Sequence, residues 1–181
     1  MDDSVRQAIA KWPHVPHCFG WLGLDARGRW HLRDAAAQAL GAFASGIAGA
    51  RGHVLEHDKL IAFIGRNYEA DERGQWFFQN GPQRVYVELA CTPWVWRVHE
   101  DGRVVAHTGR PAQPNALWLD EAGCVYLQTD LGMGLVHSQD VVLVAAAVEQ
   151  GRWSPQSVMA ADVPARFGFV QSPEQQRRPL A

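Results

Sequence analysis

A short turn signature, an aspartate followed three residues later by a glycine, recurs along this chain between apolar or aromatic segments. Its three full copies are Asp25–Gly28, Asp71–Gly74 and Asp120–Gly123. An aspartate carboxylate accepts hydrogen bonds from nearby backbone N–H groups at the start of a turn, and glycine tolerates the left-handed conformation that closes it. Each copy therefore predicts a hairpin turn, and the three aspartates are better explained as turn formers than as catalytic carboxylates.

The segments between these turns predict a sheet rich in hairpins. Asn80-Gly81 is the strongest local hairpin signal, and it lies between the aromatic run 75–79 and the alternating run 84–90. Helical periodicity and capping residues predict helices over 3–12, 35–43, 57–66 and 140–150. The sequence therefore indicates an α+β fold, with an antiparallel β-meander of about seven or eight strands and three or four short helices.

The length and composition indicate one globular domain. The chain has 181 residues, of which 47% are hydrophobic and 20% are charged, so a core can form without metal or disulfide support. Residues 171–181 are polar and contain two prolines. We therefore expect a single domain over residues 1–170 and a disordered C-terminal tail over residues 171–181.

Charge and cysteine content narrow the classes of partner and the compartment. The formal net charge of −2 argues against a nucleic-acid-binding protein, which usually carries a basic patch. The longest apolar run, residues 141–148, is too short to span a bilayer. Three widely spaced cysteines do not make a disulfide framework, and the acidic start lacks the features of a signal peptide. The sequence therefore predicts a cytoplasmic protein with no nucleic-acid and no membrane partner.

Several blocks of the sequence together resemble a known family. These blocks are Phe19–Asp25, Phe63–Tyr68, Gly74–Val87, Thr92–Pro93, His107–Gly109 and Asp130–Gly134. They resemble a family of proteobacterial proteins of about this length that has no assigned function, over most of the chain. The resemblance implies a bacterial, cytoplasmic protein, and it brings no catalytic residue that could be carried over.

Histidine and cysteine are sparse but locally clustered, which raises the question of a metal site. His14, His17 and Cys18 lie within five residues, and His57 could add a further ligand if the fold brought it close. A zinc site needs four ligands, or three and a water molecule, and no second cluster completes this one. The sequence therefore predicts no metal and no cofactor, with solvated imidazoles in a proline-rich loop.

Catalytic motifs are equally weak. Cys18 beside His17 could suggest a thiol nucleophile and its base, but neighbouring residues on a strand face opposite sides. Ser138 lies between His137 and Asp140, and helix capping explains this cluster better than a catalytic triad does. The catalytic residues therefore stay unknown, and the sequence favours a noncatalytic protein.

The densest group of polar and aromatic residues lies in the hairpin over 75–87. Arginine binds carboxylates and other anions through its planar fork, and aromatic side chains can stack a flat ligand. The alternative is that the amides form the turn and the arginine lies along the outer face. The candidate ligand-binding residues are Arg66, Asn67, Trp76, Gln79, Asn80, Arg84, Tyr86 and His107.

Three hypotheses about function follow. The favoured one is a noncatalytic cytoplasmic domain that binds a small ligand or a protein partner through the aromatic and arginine-lined hairpin. The alternative is a small hydrolase or metal-dependent enzyme that uses His17, Cys18, His57 or His107. A third is a homodimer that forms through an exposed sheet edge or a tryptophan patch.

Overall fold

The computed structural model describes residues 2–12 and 14–177. These residues form two compact units. The first unit contains residues up to 25, residues 29–90 and the chain from residue 169 onward, and the second contains residues 26–28 and 91–168. Each unit is built around one β-sheet.

The first unit holds a six-stranded sheet. Its elements are α1 (Asp3–Lys11), β1 (Cys18–Leu24), β2 (Trp30–Leu32), α2 (Ala35–Leu40), β3 (His53–Val54), α3 (Asp58–Arg66), β4 (Tyr68–Ala70), β5 (Trp76–Asn80) and β6 (Gln83–Leu89). The strand order is β3-β2-β1-β6-β5-β4, so β4 ends the sheet. β1 and β6 pair in parallel, and the other pairs are antiparallel.

The second unit holds a seven-stranded sheet. Its elements are β7 (Trp94–Val98), β8 (Val104–Ala106), β9 (Pro111–Ala112), β10 (Pro114–Leu119), β11 (Val125–Thr129), β12 (Gly132–Val136), α4 (Val141–Glu149), β13 (Pro155–Ser157) and α5 (Val163–Phe167). The strand order is β13-β10-β11-β12-β7-β8-β9. The pairs β7–β12 and β10–β13 are parallel, and the other pairs are antiparallel.

The two sheets share one topology. Strands β1 to β6 and strands β7 to β12 follow the same order, and in each sheet the first and sixth strands pair in parallel. The registers also agree: Phe77 lies opposite Glu69 and Tyr86, and Tyr126 lies opposite Trp118 and Leu135. Each residue of the second set lies forty-nine positions after its counterpart in the first. The chain therefore contains a repeated six-strand unit, and the second copy carries one additional strand, β13.

The predicted α+β class is confirmed, but the predicted antiparallel meander is wrong. Three strand pairs are parallel, and the described residues contain thirteen strands and six α-helices instead of about seven or eight and three or four. Parallel pairs join strands that are distant in sequence, so no turn residue announces them. The extra strands, such as β3 and β9, are only two residues long, which is too short to show a periodic pattern.

Tryptophan forms much of the buried interior. Trp30 is buried in the first unit, and Trp94 and Trp96 are buried in the second. The indole N–H of Trp94 donates to the Leu131 carbonyl at 2.8 Å, and that of Trp96 donates to the Leu127 carbonyl at 2.8 Å. Because a buried N–H without a partner is costly, these bonds make the large indole rings suitable for the core.

The C-terminal segment is folded as far as the structure describes it. Residues 171–181 were expected to form a disordered tail, but helix α6 covers Pro173–Arg177, and residues 178–181 lie outside the described residues. The buried Glu88 side chain accepts from the Ser172 hydroxyl at 2.5 Å and from the Glu174 N–H at 3.0 Å. These bonds fix the start of α6 against β6 in the first unit.

The buried carboxyl group of Glu88 gives the protein a testable pH dependence. Burial is the main cause that raises the pKa of Glu88 above its usual value of 4.5, and the charge of Glu174 raises it further. The folded protein therefore holds this proton more tightly than the unfolded chain does. The resulting stabilisation is fully present below pH 4.5 and is lost as the pH rises through the raised pKa.

The substitution Glu88→Gln removes this titration and keeps groups able to bond Ser172 and Glu174. We expect the free energy of unfolding to fall less for the variant than for the wild type as the pH rises above 4.5. Urea denaturation at a series of pH values measures this difference, and Glu149→Gln at an exposed position is the control. Parallel curves for Glu88→Gln and the wild type would contradict the assigned role of Glu88.

Candidate functional site

One face of the first sheet carries a row of aromatic rings. Phe77 on β5 lies opposite Tyr86 on β6, with ring centroids 5.7 Å apart. Phe19 on β1 stacks on Tyr86 at 4.4 Å with nearly parallel rings, and His17 meets the edge of Tyr86 at 5.8 Å. The side chains at successive strands point to one face because their strand positions are in register. We call Phe19, Phe77, Tyr86 and Arg84 the aromatic–arginine surface.

Arg84 is the charged member of this surface. Its guanidinium lies 4.5 Å above the Phe77 ring, a cation–π contact, and it lies beside the Tyr86 hydroxyl. Arg84 takes no part in the ion pairs of the described residues. The guanidinium is therefore held in place by aromatic rings, and its fork is available to an anion.

A cavity of about 540 Å³ opens beside Arg84. Strands β4 and β5, the turn between them and Arg84 line it, through Glu69, Ala70, Asp71, Glu72, Arg73, Phe77 and Arg84. Phe77 is only 2% exposed, so its ring forms the floor below the guanidinium. This volume lies within the usual range of small-ligand pockets.

Asp71 fixes the turn that forms one wall of this cavity. Its Oδ1 accepts from the backbone N–H groups of Arg73 and Gln75, both at 2.9 Å. Its Oδ2 accepts from the Tyr86 hydroxyl at 3.1 Å, which links the turn to β6. The prediction that Asp71 is a turn former is confirmed, and the hydrogen bond to Tyr86 is an addition that the turn signature does not show.

The protonation of the surface follows from its partial burial. Burial is the main cause that raises the pKa of Tyr86, so its hydroxyl stays a neutral donor at neutral pH. Burial, and next the positive charge of Arg84, lower the pKa of His17. His17 is therefore neutral above pH 6.5, and the positive charges beside the rings are those of Arg84 over Phe77 and of Arg177, whose guanidinium lies 5.0 Å from the centroid of the Phe19 ring.

The structure places two of the predicted residues, Arg84 and Tyr86, on this surface. Gln79 lies opposite Arg84 on the same face, but it is buried and donates to the Gly81 carbonyl at 2.8 Å. Asn80 is an exposed residue at the end of β5. Trp76 points to the other face of the sheet, where its ring lies 4.7 Å from that of Tyr68.

Arg66 and Asn67, two further predicted residues, have structural partners. The Asn67 Oδ1 accepts from the Asp2 N–H at 2.7 Å, and its Nδ2 donates to the Phe63 carbonyl at 3.0 Å. Arg66 is exposed and its Nη2 lies 3.4 Å from the Asp2 carboxylate. Both side chains therefore hold the start of the described chain to the end of α3.

His107, the last predicted residue, belongs to the second unit. Its Nδ1 accepts from the Val95 N–H at 3.3 Å, and its ring lies 5.7 Å from that of Trp94. These contacts hold it against the second sheet. Its assignment to the ligand-binding set stays a prediction that nothing in the fold supports.

The second unit repeats the turn network of the first. The Asp120 Oδ1 accepts from the N–H groups of Ala122 at 3.0 Å and Cys124 at 2.7 Å. Its Oδ2 accepts from the Tyr126 hydroxyl at 2.7 Å. In each unit the equivalent aspartate carboxylate, Asp71 or Asp120, therefore links its turn to a tyrosine. The tyrosine comes from β6 in the first unit and from β11 in the second.

Several residues of the site were missed from the sequence, although a signal was available. Ala70, Glu72 and Arg73 line the cavity and lie outside the predicted set. The pattern Asp-Glu-x-Gly occurs at Asp71 and again at Asp120. In both copies a glutamine follows eight residues after the aspartate, as Gln79 and Gln128, and a valine follows sixteen residues after it, as Val87 and Val136. Read as a repeat, this pattern predicts a duplicated unit and singles out the residues that differ between the copies.

The residues proposed for a catalytic or metal-dependent alternative do not converge. His57 caps α3 by accepting from the Leu60 N–H at 3.3 Å, and His17 stands at the edge of Tyr86. Within residues 2–12 and 14–177, no three His, Cys, Asp or Glu side chains are grouped so that they could hold a metal ion. Burial raises the pKa of Cys91 to about 11, so this thiol is a poor nucleophile at neutral pH.

The fold and the site define an α+β protein with a repeated six-strand unit and an aromatic–arginine surface on the first copy. The chain belongs to the family described as "Protein of unknown function (DUF2946)", which it matches over residues 1–174. The resemblance read from the sequence is thereby confirmed at the level of a family without assigned function. No curated protein matches the sequence.

Two solved structures are similar to this chain. One is a DUF1285 family protein from Silicibacter pomeroyi DSS-3, with 11% identity, a TM-score of 0.46, and coverage of 68% of this chain and 67% of that chain. The other is a DUF1285 family protein from Shewanella baltica OS155, with 14% identity, a TM-score of 0.46, and coverage of 70% of this chain and 91% of that chain.

None of the helices in the described residues has the length and apolar character needed to cross a bilayer. Helix α4 is the most apolar of them by sequence, and it is nine residues long.

The hydrogen bond between Tyr86 and Asp71 generates a prediction about stability. Removing the hydroxyl in Tyr86→Phe leaves a carboxylate oxygen without its donor, and we expect a loss of about 2 kcal/mol in the free energy of unfolding. Tyr126→Phe removes the equivalent bond in the second unit and should cost a similar amount. Urea denaturation measures both, and a negligible loss at Tyr86 beside a clear loss at Tyr126 would show that Tyr86 does not hold the turn.

Proposed function

We propose that the protein is a noncatalytic binding module whose aromatic–arginine surface takes a ligand that carries a carboxylate. The observation that carries this proposal is the position of Arg84, stacked on Phe77 beside a cavity of about 540 Å³ and without an ion-pair partner among the described residues. Arginine forks match carboxylates in a bidentate manner, and a stacked guanidinium keeps its edge donors directed outward.

The aromatic rings order the guanidinium. Phe77 and Tyr86 are buried and held by their neighbours, so Arg84, which stacks on Phe77, is already positioned before a ligand binds. An ordered site loses little conformational freedom when it binds. The cavity lining carries both charges: Arg73 adds a second positive charge to Arg84, Glu69 and Glu72 are acidic, and the Asp71 carboxylate is occupied by its turn.

The class of partner follows from the same chemistry. A small carboxylic acid or a protein segment with an acidic side chain would fit the surface, and the net charge of −2 gives no support to a nucleic-acid partner. We extend the proposal to a cytoplasmic location, supported by three free cysteines in the chain. No cofactor and no metal are part of the proposed function.

The enzymatic alternative has no comparable support. His17, Cys18, His57 and His107 would have to supply a base, a nucleophile or a metal ligand, and the described contacts assign His57 and His107 to a helix cap and a sheet contact. Burial raises the pKa of the Cys18 thiol, which lowers its fraction of thiolate. Homodimerisation through a sheet edge stays a separate proposal that sedimentation would test.

The proposed function predicts selective binding of carboxylates. We expect benzoate to perturb the NMR signals of the Arg84 side chain and of the Phe77 backbone at millimolar concentration, and the neutral analogue benzamide to leave them unchanged. Arg84→Gln should weaken benzoate binding by about tenfold or more, because a neutral amide cannot replace the charged fork. Arg103→Gln, which removes an exposed arginine of the second unit, is the matched control.

Two results would contradict the proposal. Equal binding of benzoate and benzamide would show that the carboxylate is not recognised. Benzoate binding that Arg84→Gln leaves intact would place the recognition elsewhere on the protein.

A further inference from the structure

The two copies of the repeated unit differ at one sheet edge. In the second unit the outer edge of β10 pairs in parallel with β13, in the register Leu117 to Pro155 and Leu119 to Ser157. In the first unit the equivalent strand is β4, and the sheet of the described residues ends there. One chain therefore contains the same edge twice, once covered by an added strand and once open.

The contacts of the segment that directly follows β13 show how the added strand is held. The Val158 N–H donates to the Leu119 carbonyl at 3.0 Å. Two residues later, the Ala160 N–H donates to the Glu121 Oε2 at 2.9 Å. The Leu119 carbonyl and the Glu121 carboxylate thus accept hydrogen bonds from two N–H groups of the added segment that are two residues apart.

Both acceptors have counterparts in the first unit. Forty-nine residues before Leu119 and Glu121 lie Ala70 and Glu72, which line the cavity beside Arg84. The turn is the same in both units, because Asp71 and Asp120 make the same backbone hydrogen bonds. The acceptors of an added strand are therefore present at the open edge.

The backbone of Ala70 faces this edge. The Asp71 N–H donates to the Gln75 carbonyl and the Gln79 N–H donates to the Asn67 carbonyl, so residues 67, 69 and 71 direct their backbone groups toward β5. The intervening Ala70 directs its N–H and carbonyl the other way, and the residue is exposed. An exposed edge of this kind is a template for pairing with another strand.

The cavity beside the edge strand is larger in the first unit than in the second, where the added strand lies. Next to β4 the cavity measures about 540 Å³, and its walls come from β4, β5, their turn and Arg84. Next to β10 a smaller cavity of about 350 Å³ is lined by Leu119, Asp120 and Glu121 together with residues of the added segment, Ser157, Val158 and Met159. Beside Leu119 and Glu121 the second unit places its own chain, whereas the cavity beside Ala70 and Glu72 is lined by β4, β5, their turn and Arg84.

We propose that the open edge of β4 takes an extended peptide of a partner protein as an added parallel strand, with one carboxylate side chain of the peptide meeting Arg84. The inference rests on the proposed function and names its ligand class. The Ala70 carbonyl and the Glu72 carboxylate accept backbone N–H groups of the peptide two residues apart, as Leu119 and Glu121 do for Val158 and Ala160, which follow β13.

The side chain that enters the cavity is set by the register. In the second unit Gln156 lies opposite Trp118, and the counterpart of Trp118 is Glu69. A peptide residue at this position projects on the face of Phe77 and Arg84, because Glu69 and Phe77 are in register. Glu69 stands on the same face, directly opposite this position, so its charge opposes the peptide carboxylate and Arg84 has to outweigh it. A run of acidic residues is disfavoured for the same reason.

The experiment uses a phage-displayed library of random peptides of about twelve residues, longer than a typical strand. Enriched peptides are synthesised, and their binding to the full chain is measured by calorimetry and by NMR. The key variant is Ala70→Pro, which removes the outward N–H and is compatible with an edge strand. The matched control is Ala70→Ser, which keeps that N–H, and thermal unfolding verifies that both variants fold.

Three results are expected together. Enriched peptides perturb the amides of residues 69–73, Ala70→Pro weakens their binding by about tenfold or more, and Ala70→Ser leaves it unchanged. Replacement of the single peptide carboxylate by its amide, or Arg84→Gln in the protein, also weakens binding. Glu72→Gln weakens binding by a smaller factor, because a neutral amide oxygen still accepts the N–H.

The possible failures are distinguishable. Peptide binding that depends on Ala70 but not on Arg84 would refute the carboxylate site and leave the added strand standing. Carboxylate binding that depends on Arg84 but survives Ala70→Pro would overturn the added strand and leave the proposed function standing. A library that yields no binder would overturn the proposal of an added peptide strand. A dimer in sedimentation that Ala70→Pro dissociates would also overturn it, because the edge would then pair with a second copy of this chain.

Discussion

The proposed site depends on the Asp71 carboxylate. One oxygen orders the turn after β4, and the other accepts the Tyr86 hydroxyl from β6, two strands away. The edge strand β4 is thereby fixed relative to the Tyr86 ring. Phe19 stacks on this ring, and Arg84 lies beside it. Without this bond the turn would keep its local shape, but the open edge and the aromatic–arginine surface would no longer be held in one geometry.

The repeat gives an internal reference for each copy. In the second unit Trp118 takes the place of Glu69, and its ring is covered by the Arg166 guanidinium at 4.2 Å and by the Phe167 ring at 5.4 Å. That face is therefore closed by α5 of the same unit. In the first unit a guanidinium also lies over a ring, but it comes from within the sheet and faces a cavity. The same physical contact completes a packed face in one copy, whereas in the other the guanidinium lines a cavity.

The sequence predicts the local structure of this chain well. The cap at Asp34, which accepts from the Ala37 N–H at 2.8 Å, and the turns at Asp71 and Asp120 depend on residues within a few positions, so their patterns carry the information. The pairings β1–β6 and β10–β13 depend on segments far apart in sequence, and no local pattern encodes them.

The residues of the site also divide into those that local sequence patterns predict and those that depend on tertiary structure. Arg84 and Tyr86 belong to a hairpin that the sequence predicts, whereas the contact of Asn67 with Asp2 and the second-unit position of His107 follow from tertiary structure. The open edge at Ala70 could not be found by residue chemistry at all, because alanine carries none. It becomes visible only through comparison of β4 with β10, whose registers place Ala70 and Leu119 at equivalent positions.

The open edge is the central claim, and amide hydrogen exchange of the free protein tests it most directly. Leu119 and Ala70 are equivalent residues, but β13 covers the first and no strand of the described chain covers the second. We expect the Ala70 amide to exchange close to the rate of an unprotected amide, while the Leu119 amide and the neighbouring Glu69 amide are protected by about a hundredfold or more. Equal protection of Ala70 and Leu119 would show that the edge of β4 is already occupied, and the account of the site would be wrong.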